Sequence, residues 1–496
     1  MTISVSAASD IGVRQPRIAE LADRYAPLWV GALLFVYFLF GFIGSNPLSG
    51  GVVPTTTGGT NLSRQLMLIG VFAGSLPILF CYRRRALTVV RENILILVIY
   101  AWLAATTLWS AQPPLTIRRL FADLLVLFLL VAAVTVARSW RLLVYPIALA
   151  AAAVILADAA ATVVVPGLAF GPLGAMGIHT NKNLAGVITL VALLLIGGSF
   201  FAWRGLRLRA LMVPVILVGL VFLVLTKSKT SLGLLVLVGA TFPLLYLVVT
   251  RWSAAPVIVP AVLISTIALA VAAAAALGIP ASAVAEFVFG DATLTRRTEL
   301  WAYLQSNIAS HPLLGIGWGA FWDTGAAINP INAPPQSWVL PAAEINTAHS
   351  GYIDIWLQAG AVGLGLVLIM IVRFFRVAVP LCRRRQLGAE NQRLIATMIA
   401  VVFTLVLYNF VESILFRPSD TLSSLVVLVV LATEHWSRLT RRVGPRVPFL
   451  AQGAMRAAAP VPPAGPRGAT AAEGGSRAGV GGEPSTALFT SRTALR

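Results

Sequence analysis

Long apolar runs separated by short polar segments make up most of this chain. Runs of about 18 or more apolar residues, enough to cross a lipid bilayer as a helix, recur along the sequence. Continuous runs of this kind favour helices over the short alternating segments of a membrane β-barrel. The pattern predicts an all-α polytopic membrane protein with about twelve transmembrane helices, near 28–45, 66–82, 93–110, 120–137, 142–165, 184–203, 208–226, 231–250, 256–278, 351–372, 394–411 and 421–437.

Composition supports this fold class and divides the chain into three parts. Hydrophobic residues make up 58% of the sequence and charged residues 11%, whereas a soluble protein is roughly one quarter charged. Residues 1–25 form a polar lead, 26–440 the transmembrane domain, and 441–496 a tail rich in Ala, Gly and Pro that we expect to be disordered.

One connection between spans, 279–350, is long and is not of low complexity. Its mixture of apolar, aromatic and charged residues predicts a helix near 295–310, which Pro312 and three glycines then end. The tryptophans of this segment suit the aromatic belt at a membrane surface; they are Trp301, Trp318, Trp322 and Trp338.

The net charge of +19 is distributed unevenly between the two predicted membrane faces. Arginines gather in alternate loops, in "CYRRRALTVVRE", "ARSWR", "WRGLRLR", "RFFRVAVPLCRRR" and "SRLTRRVGPR". By the positive-inside rule these loops and both termini are cytoplasmic, and the 279–350 loop lies on the outer side of the membrane. The positive charge therefore indicates topology and contact with the lipid bilayer, and we expect no nucleic-acid partner.

Polar residues predicted on the outer side point to an anionic ligand there. All three lysines, Lys182, Lys227 and Lys229, lie on that side, as do three of the four histidines, His179, His311 and His349. This enrichment runs against the positive-inside trend. The sequence shows neither a Cys/His cluster with zinc spacing nor a carboxylate cluster for Mg²⁺, so we expect no metal and no cofactor.

Three basic segments are candidates for binding that anion, and each has an ordinary alternative. Arg296 and Arg297 in "TLTRRTELW" either grip phosphate oxygens or extend to lipid headgroups. Lys229 in "LTKSKTSLG" either helps to bind an anion at a helix start or is an interfacial lysine. Lys182 and Asn183 in "GIHTNKNLAGV" either contact the ligand or belong to a helix cap.

His349 begins the tenth predicted span and is either a proton acceptor or an interfacial histidine. Asp354 lies five residues later inside the span, where a carboxylate is costly and so suggests function. Asp354 either orients His349 or pairs with a basic residue, and Glu412, at the end of the eleventh predicted span, is a second candidate for orienting His349. The same alternatives apply to Asp123 and Asp158, which lie inside the fourth and fifth predicted spans.

Four stretches resemble the O-antigen ligase and polymerase superfamily of bacterial polysaccharide assembly. They are "LWSAQPPLTIRR", "GIHTNKNLAGV", "RTELWAYLQSNIASHPLLGIGWGAF" and "AHSGYIDIWLQAGAVGLGL". Their order around one large outer loop carries the resemblance, which extends over about residues 95–437.

The resemblance implies a metal-independent membrane glycosyltransferase, similar to the C-type superfamily, that uses an undecaprenyl-pyrophosphate-linked glycan. The family's essential histidine aligns with His349 and its loop arginine with Arg297. Lys229 stands where a second basic residue is expected to be arginine, which makes the chain most similar to exopolysaccharide polymerases. The predicted pyrophosphate or substrate ligands are Lys229, Lys182, Asn183, Arg296, Arg119 and His179.

The predicted activity is polymerisation of lipid-linked repeat units at the periplasmic face of the bacterial inner membrane, with polysaccharide export or chain-length machinery as a candidate partner. One alternative is an O-antigen ligase that transfers glycan to lipid A-core, or a protein O-oligosaccharyltransferase, which differs in its acceptor. A second alternative is a transporter or flippase, which should place its essential residues near the midplane of the membrane.

Overall fold

A computed structural model describes residues 11–44, 47–48, 62–203, 205–251, 294–322 and 347–443. The described part is almost entirely helical. Its helices are α1 (Ile11–Ile43), α2 (Leu62–Cys81), α3 (Arg83–Glu92), α4 (Ile94–Ala105), α5 (Pro113–Val136), α6 (Arg141–Val164), α7 (Pro166–Ala169), α8 (Lys182–Ala202), α9 (Leu206–Leu225), α10 (Lys229–Arg251), α11 (Leu294–Ser310), α12 (Gly351–Cys382), α13 (Gly388–Tyr408) and α14 (Thr421–Val443). Two short 3₁₀ segments, Thr106–Leu108 and Arg385–Leu387, and a strand pair, β1 (Phe170–Gly171) with β2 (Gly174–Ala175), complete the list.

Nine of the described helices are long and apolar enough to cross a membrane, or ten if the bent pair α3–α4 counts as one span. Every predicted span within the described residues falls on a helix, although α1 and α12 extend well beyond their predicted limits. The span predicted at 256–278 lies outside the described residues. The chain is therefore a multi-pass helical membrane protein, and the predicted count of about twelve is not confirmed.

The helices place the polar residues of interest at one end of the bundle. Helices α1, α4, α6, α9 and α13 finish there, and α2, α5, α8, α10, α12 and α14 begin there. We call this the histidine end, because His179 and His349 lie there, and the opposite end the arginine end. Helices α8, α13 and α14 form the interior, since 67%, 72% and 72% of their apolar windows are buried.

The segment "RRRALTVVRE", predicted as part of a loop, is in fact helix α3. Ala86, Val89 and Glu92 form its buried stripe, while its arginines lie on the outside, which is the spacing of an amphipathic helix. Helix α3 meets the α4 segment at an angle of 79°. The arginine end therefore carries a helix that does not continue straight into the span.

Helix α12 is broken inside its predicted span, at Gly360, whose φ is 69° and ψ −178°. The segment 311–322 of the long loop docks at this break. The N–H groups of Ile316 and Gly317 donate to the carbonyls of Leu357 and Gln358 at 2.9 and 3.0 Å, respectively. Because partners from the protein satisfy this irregular backbone, it is tolerated within a membrane protein.

The predicted domain limits fall partly on described residues. Helix α1 begins at Ile11, inside the predicted lead of 1–25, and α14 ends at Val443, just inside the predicted tail. Of the predicted 279–350 loop, the structure describes 294–322 and 347–350, and it confirms the expected helix as α11, which ends at Ser310 before Pro312.

Candidate active site

His349 lies two residues before α12 begins and has an uncommon backbone conformation. Its φ is 50°, in the left-handed region that residues other than glycine rarely adopt. Its Nδ1 lies 3.1 Å from Oε2 of Glu412, and the two side chains are 26% and 20% exposed. A strained backbone that supports a partly exposed histidine–carboxylate pair is typical of a functional position.

Glu412 belongs to the connection between α13 and α14 and has a second partner. Its Oε1 accepts a hydrogen bond from Nδ2 of Asn183 at 3.2 Å. The carbonyl of Asn183 in turn accepts a bond from the Tyr408 hydroxyl at 3.3 Å. Three elements therefore meet at this carboxylate: the start of α12, the α13–α14 connection and the start of α8.

The lysines of interest are the first residues of two helices in contact. Lys182 begins α8 and Lys229 begins α10. One turn into α8, Gly186 packs so closely on Ser228 that a β-carbon there would lie 2.6 Å from the Ser228 Cβ. Both helices thus direct their N-terminal ends, and the positive ends of their dipoles, toward the histidine end of the bundle.

Asp354 does not contact the His349 ring, although it is closer in sequence than Glu412. It is buried, and its Oδ1 accepts a bond from the Trp322 indole nitrogen at 2.6 Å. Its Oδ2 accepts a bond from the backbone N–H of Ala348 at 3.2 Å. Asp354 therefore holds the backbone next to His349, and Glu412 is the acid that contacts the imidazole.

The long loop contributes to the same backbone position from the other side. Trp301 of α11 donates a hydrogen bond from its indole nitrogen to the carbonyl of Ala348 at 2.7 Å. Arg297 lies one helical turn before Trp301, and the side chains of Arg296 and Arg297 lie outside the described part of the structure. Helix α11 thus contacts the backbone of the residue that precedes His349.

Arg119 lies in α5 and is engaged with the loop backbone. Its guanidinium donates to the carbonyl of Gly319 and, at 3.2 Å, to that of Trp322. It therefore connects α5 to the tryptophan that bonds Asp354. Arg119 is therefore better placed to support the loop backbone than to contact a pyrophosphate directly.

His179 is not brought to the His349–Glu412 pair. Its Nε2 lies 3.2 Å from Asp158 Oδ2, and both side chains are fully buried. The other Asp158 oxygen accepts the N–H of Ile178 at 3.0 Å. Asp158 therefore pairs with His179, and this pair holds the loop before α8 to α6.

Two tryptophans predicted for the membrane belt are buried polar contacts instead. Trp318 is 2% exposed and Trp322 is 6% exposed, and the Trp318 indole donates to the carbonyl of Phe416 at 2.8 Å. The glycines at 315, 317 and 319 all have positive φ, which lets the chain turn these rings inward. The alternation of glycine with large residues in "GIGWGAFW" was the available signal. Trp338 lies outside the described residues.

The contact with Glu412 suits one tautomer of the His349 imidazole. When Nδ1 of His349 carries the ring proton, it donates a hydrogen bond to the carboxylate of Glu412. In the neutral ring, Nε2 is then the free acceptor and is able to take a proton from a hydroxyl group. A carboxylate in this position would also stabilise an imidazolium formed by such a transfer.

Part of the chain matches a known protein family. Residues 214–368 match the family model described as O-antigen ligase, a family of membrane glycosyltransferase-like ligases and polymerases. The match contains α10, α11 and the first part of α12, and so includes Lys229, Arg297 and His349. It supports the O-antigen ligase and polymerase superfamily and indicates an activity of that type. The curated proteins contain no match to the chain.

Proposed function

We propose that this protein polymerises undecaprenyl-pyrophosphate-linked oligosaccharide repeat units into exopolysaccharide at the periplasmic face of the bacterial inner membrane, with both termini in the cytoplasm. The observation that carries the proposal is the His349–Glu412 pair, 3.1 Å apart at the histidine end of the bundle. His349 also lies at the end of the long loop, two residues before α12 begins, within the range that matches the O-antigen ligase family.

In the proposed reaction, His349 acts as the general base. The acceptor hydroxyl loses its proton to Nε2, and its oxygen forms a bond to the anomeric carbon of the donor sugar. The bond between that carbon and the phosphate oxygen breaks, and the lipid pyrophosphate leaves with the bonding electrons. Attack from the face opposite the leaving group inverts the anomeric configuration. Glu412 keeps the ring oriented through the Nδ1 bond.

The leaving pyrophosphate carries about two or three negative charges near pH 7. In this proposal Lys182 and Lys229 supply positive charge from the adjacent starts of α8 and α10, and Arg297 supplies it from α11. Side-chain cations and helix N-termini stabilise developing phosphate charge in this way. The reaction then requires no metal ion, because these groups neutralise the leaving group.

The contrast between polymerase and ligase rests on the residue at 229. A lysine is a point charge and cannot grip two oxygens as an arginine fork does. Lys229, in the place where the ligases are expected to carry arginine, therefore favours a polymerase. The description of the matched family favours the ligase alternative. Deleting the gene separates the two: accumulated single lipid-linked repeat units indicate a polymerase, whereas normal free polymer with uncapped lipid A indicates a ligase.

The test of the active site is His349→Ala, with His311→Ala as the matched control. His311 is exposed, and its Nδ1 bonds the neighbouring Ser310 hydroxyl at 2.8 Å. A positioned base contributes roughly 10²–10⁴-fold, so we expect a loss of that size in polymer formation for His349→Ala and none for His311→Ala. Polymer of normal length and yield from His349→Ala would reject the proposal. Essential residues near the middle of the spans, with dispensable positions 182, 229, 297 and 349, would indicate a transporter.

A further inference from the structure

Asn409 follows the last residue of α13 and is fully buried. Its side-chain oxygen accepts hydrogen bonds from the backbone N–H groups of Ile414 and Leu415 at 3.1 and 3.0 Å. These two bonds close the turn that carries Glu412 between Asn409 and Ile414. The position of the Glu412 backbone therefore depends on this amide.

The same residue also holds the segment of His349. The carbonyl of Asn409 accepts a hydrogen bond from the backbone N–H of Gly351 at 2.8 Å, two residues after His349. Gly351 packs directly on the amide, because a β-carbon there would overlap the Asn409 side-chain oxygen. A single side chain and its carbonyl thus contact both segments that supply the histidine–carboxylate pair.

We propose that Asn409 is a positioning residue that sets the distance between His349 and Glu412. This inference rests on the proposed function, in which that pair is the base. The two partners are 63 residues apart in sequence and come from different helix ends. A displacement of about 1 Å in catalytic geometry can cost about 10²-fold in rate. Loss of the Asn409 bonds should therefore lower the turnover of the protein that remains folded.

A matched control exists at the other end of the same helix. Asn391 is 7% exposed and lies in the first turn of α13. Its Oδ1 accepts the backbone N–H of Trp140 at 2.9 Å, and its Nδ2 donates to the carbonyl of Leu387 at 2.8 Å. Asn391 is thus a buried asparagine that also connects α13 to a distant backbone segment, but at the arginine end and far from the pair.

The first experiment compares Asn409→Leu, Asn409→Asp and Asn391→Leu in the full-length protein. Leucine removes the acceptor oxygen at similar volume, whereas aspartate keeps one. We expect Asn409→Leu to lower kcat about tenfold or more, with donor KM little changed, and Asn409→Asp to restore most of that loss. Asn391→Leu should lower the melting temperature and leave kcat per folded molecule unchanged. Equal kcat for the two leucine variants would overturn the proposal.

A second experiment measures how close residues 349 and 412 lie, without relying on activity. Cys81 and Cys382 are first replaced by serine, and His349→Cys and Glu412→Cys are then introduced together for cross-linking with a short bis-methanethiosulfonate. We expect Asn409→Leu to reduce the cross-link yield severalfold and Asn391→Leu to leave it unchanged. An unchanged yield in Asn409→Leu would overturn the positioning role. A fully active His349→Ala would instead reject the proposed function while leaving this measurement valid.

If Asn409→Leu does not accumulate in the membrane, Gly351→Ala supplies the same test from the opposite side. Its methyl group must displace the Asn409 amide. The expected result is again a lower kcat and a lower cross-link yield. Wild-type values for both would contradict the proposal.

Discussion

The indole nitrogen of Trp322 donates a hydrogen bond to the buried carboxylate of Asp354 at 2.6 Å. This bond connects the long loop to the helix that begins beside His349. The carbonyl of Trp322 accepts a bond from Arg119, and the second Asp354 oxygen accepts the N–H of Ala348. A continuous path of hydrogen bonds therefore leads from α5 through the loop to the residue next to His349.

Trp322→Phe should weaken this path. The substitution removes the indole N–H and leaves a buried carboxylate with one fewer donor, which costs about 1–3 kcal/mol. We expect a lower melting temperature in detergent and a fall in polymer formation per folded molecule, because the Ala348–His349 backbone loses its support. Both quantities are measured on the purified full-length protein.

Trp356→Phe is the matched control for that prediction. The Trp356 indole also donates to a loop carbonyl, that of Pro312, at 3.0 Å, but the side chain is exposed. Its loss should change the melting temperature and activity little. If Trp322→Phe behaves like Trp356→Phe in both measurements, the Asp354 contact does not support the site.

Much of the fold was predictable because membrane spans depend on local composition. A continuous apolar run long enough to cross the bilayer predicts a helix regardless of its neighbours. The break in α12 at Gly360 was not predictable in this way, since the run "IWLQAGAVGLGL" is apolar on both sides of its single polar side chain, Gln358. The break depends on the carbonyls of Leu357 and Gln358, which are satisfied by a loop more than forty residues away in sequence.

The candidate site was likewise predictable only in part. His349 and Glu412 were both recognisable as rare polar groups at the ends of apolar runs, but their pairing was not. Asp354 was the nearer acid in sequence, and its carboxylate is instead held by Trp322 and Ala348. Which acid contacts the imidazole depends on how α13 returns to the histidine end, and one sequence carries no local signal for that return.

His179→Gln tests whether the buried histidine is structural. His179 bonds Asp158 with both side chains fully buried, so replacing the rigid ring with a flexible amide should weaken this hydrogen bond and destabilise the fold by about 1–3 kcal/mol. Turnover per folded molecule should stay close to that of the wild type. The matched variant His349→Gln should give the opposite result, with little loss of stability and a large loss of turnover. A fall in turnover for His179→Gln without a change in melting temperature would place His179 among the ligand contacts.

Gly186→Val should separate the starts of α8 and α10. A β-carbon at Gly186 would lie 2.6 Å from the Ser228 Cβ, so the helices must move apart. Because Lys182 and Lys229 begin these helices, we expect donor KM to rise about tenfold, equivalent to about 1.4 kcal/mol of binding. Gly197→Val is the control in the same helix, since a β-carbon there would meet no heavy atom within 4 Å. Equal KM values for the two variants would show that this contact does not set donor affinity.

Gly360→Ala should disrupt the docking of the 311–322 segment. The φ of 69° at Gly360 is unfavourable for alanine, and a β-carbon would overlap the carbonyl of Leu313. The backbone strain alone costs about 1–3 kcal/mol, so we expect a lower melting temperature and faster proteolysis within 311–322. Gly365→Ala lies in the same helix, where a β-carbon would meet nothing within 4 Å. That change should be neutral or stabilising by about 0.5–1 kcal/mol, because alanine loses less backbone entropy in a helix. If the two variants show equal melting temperatures and equal protection from protease, the break at Gly360 does not hold the loop against α12.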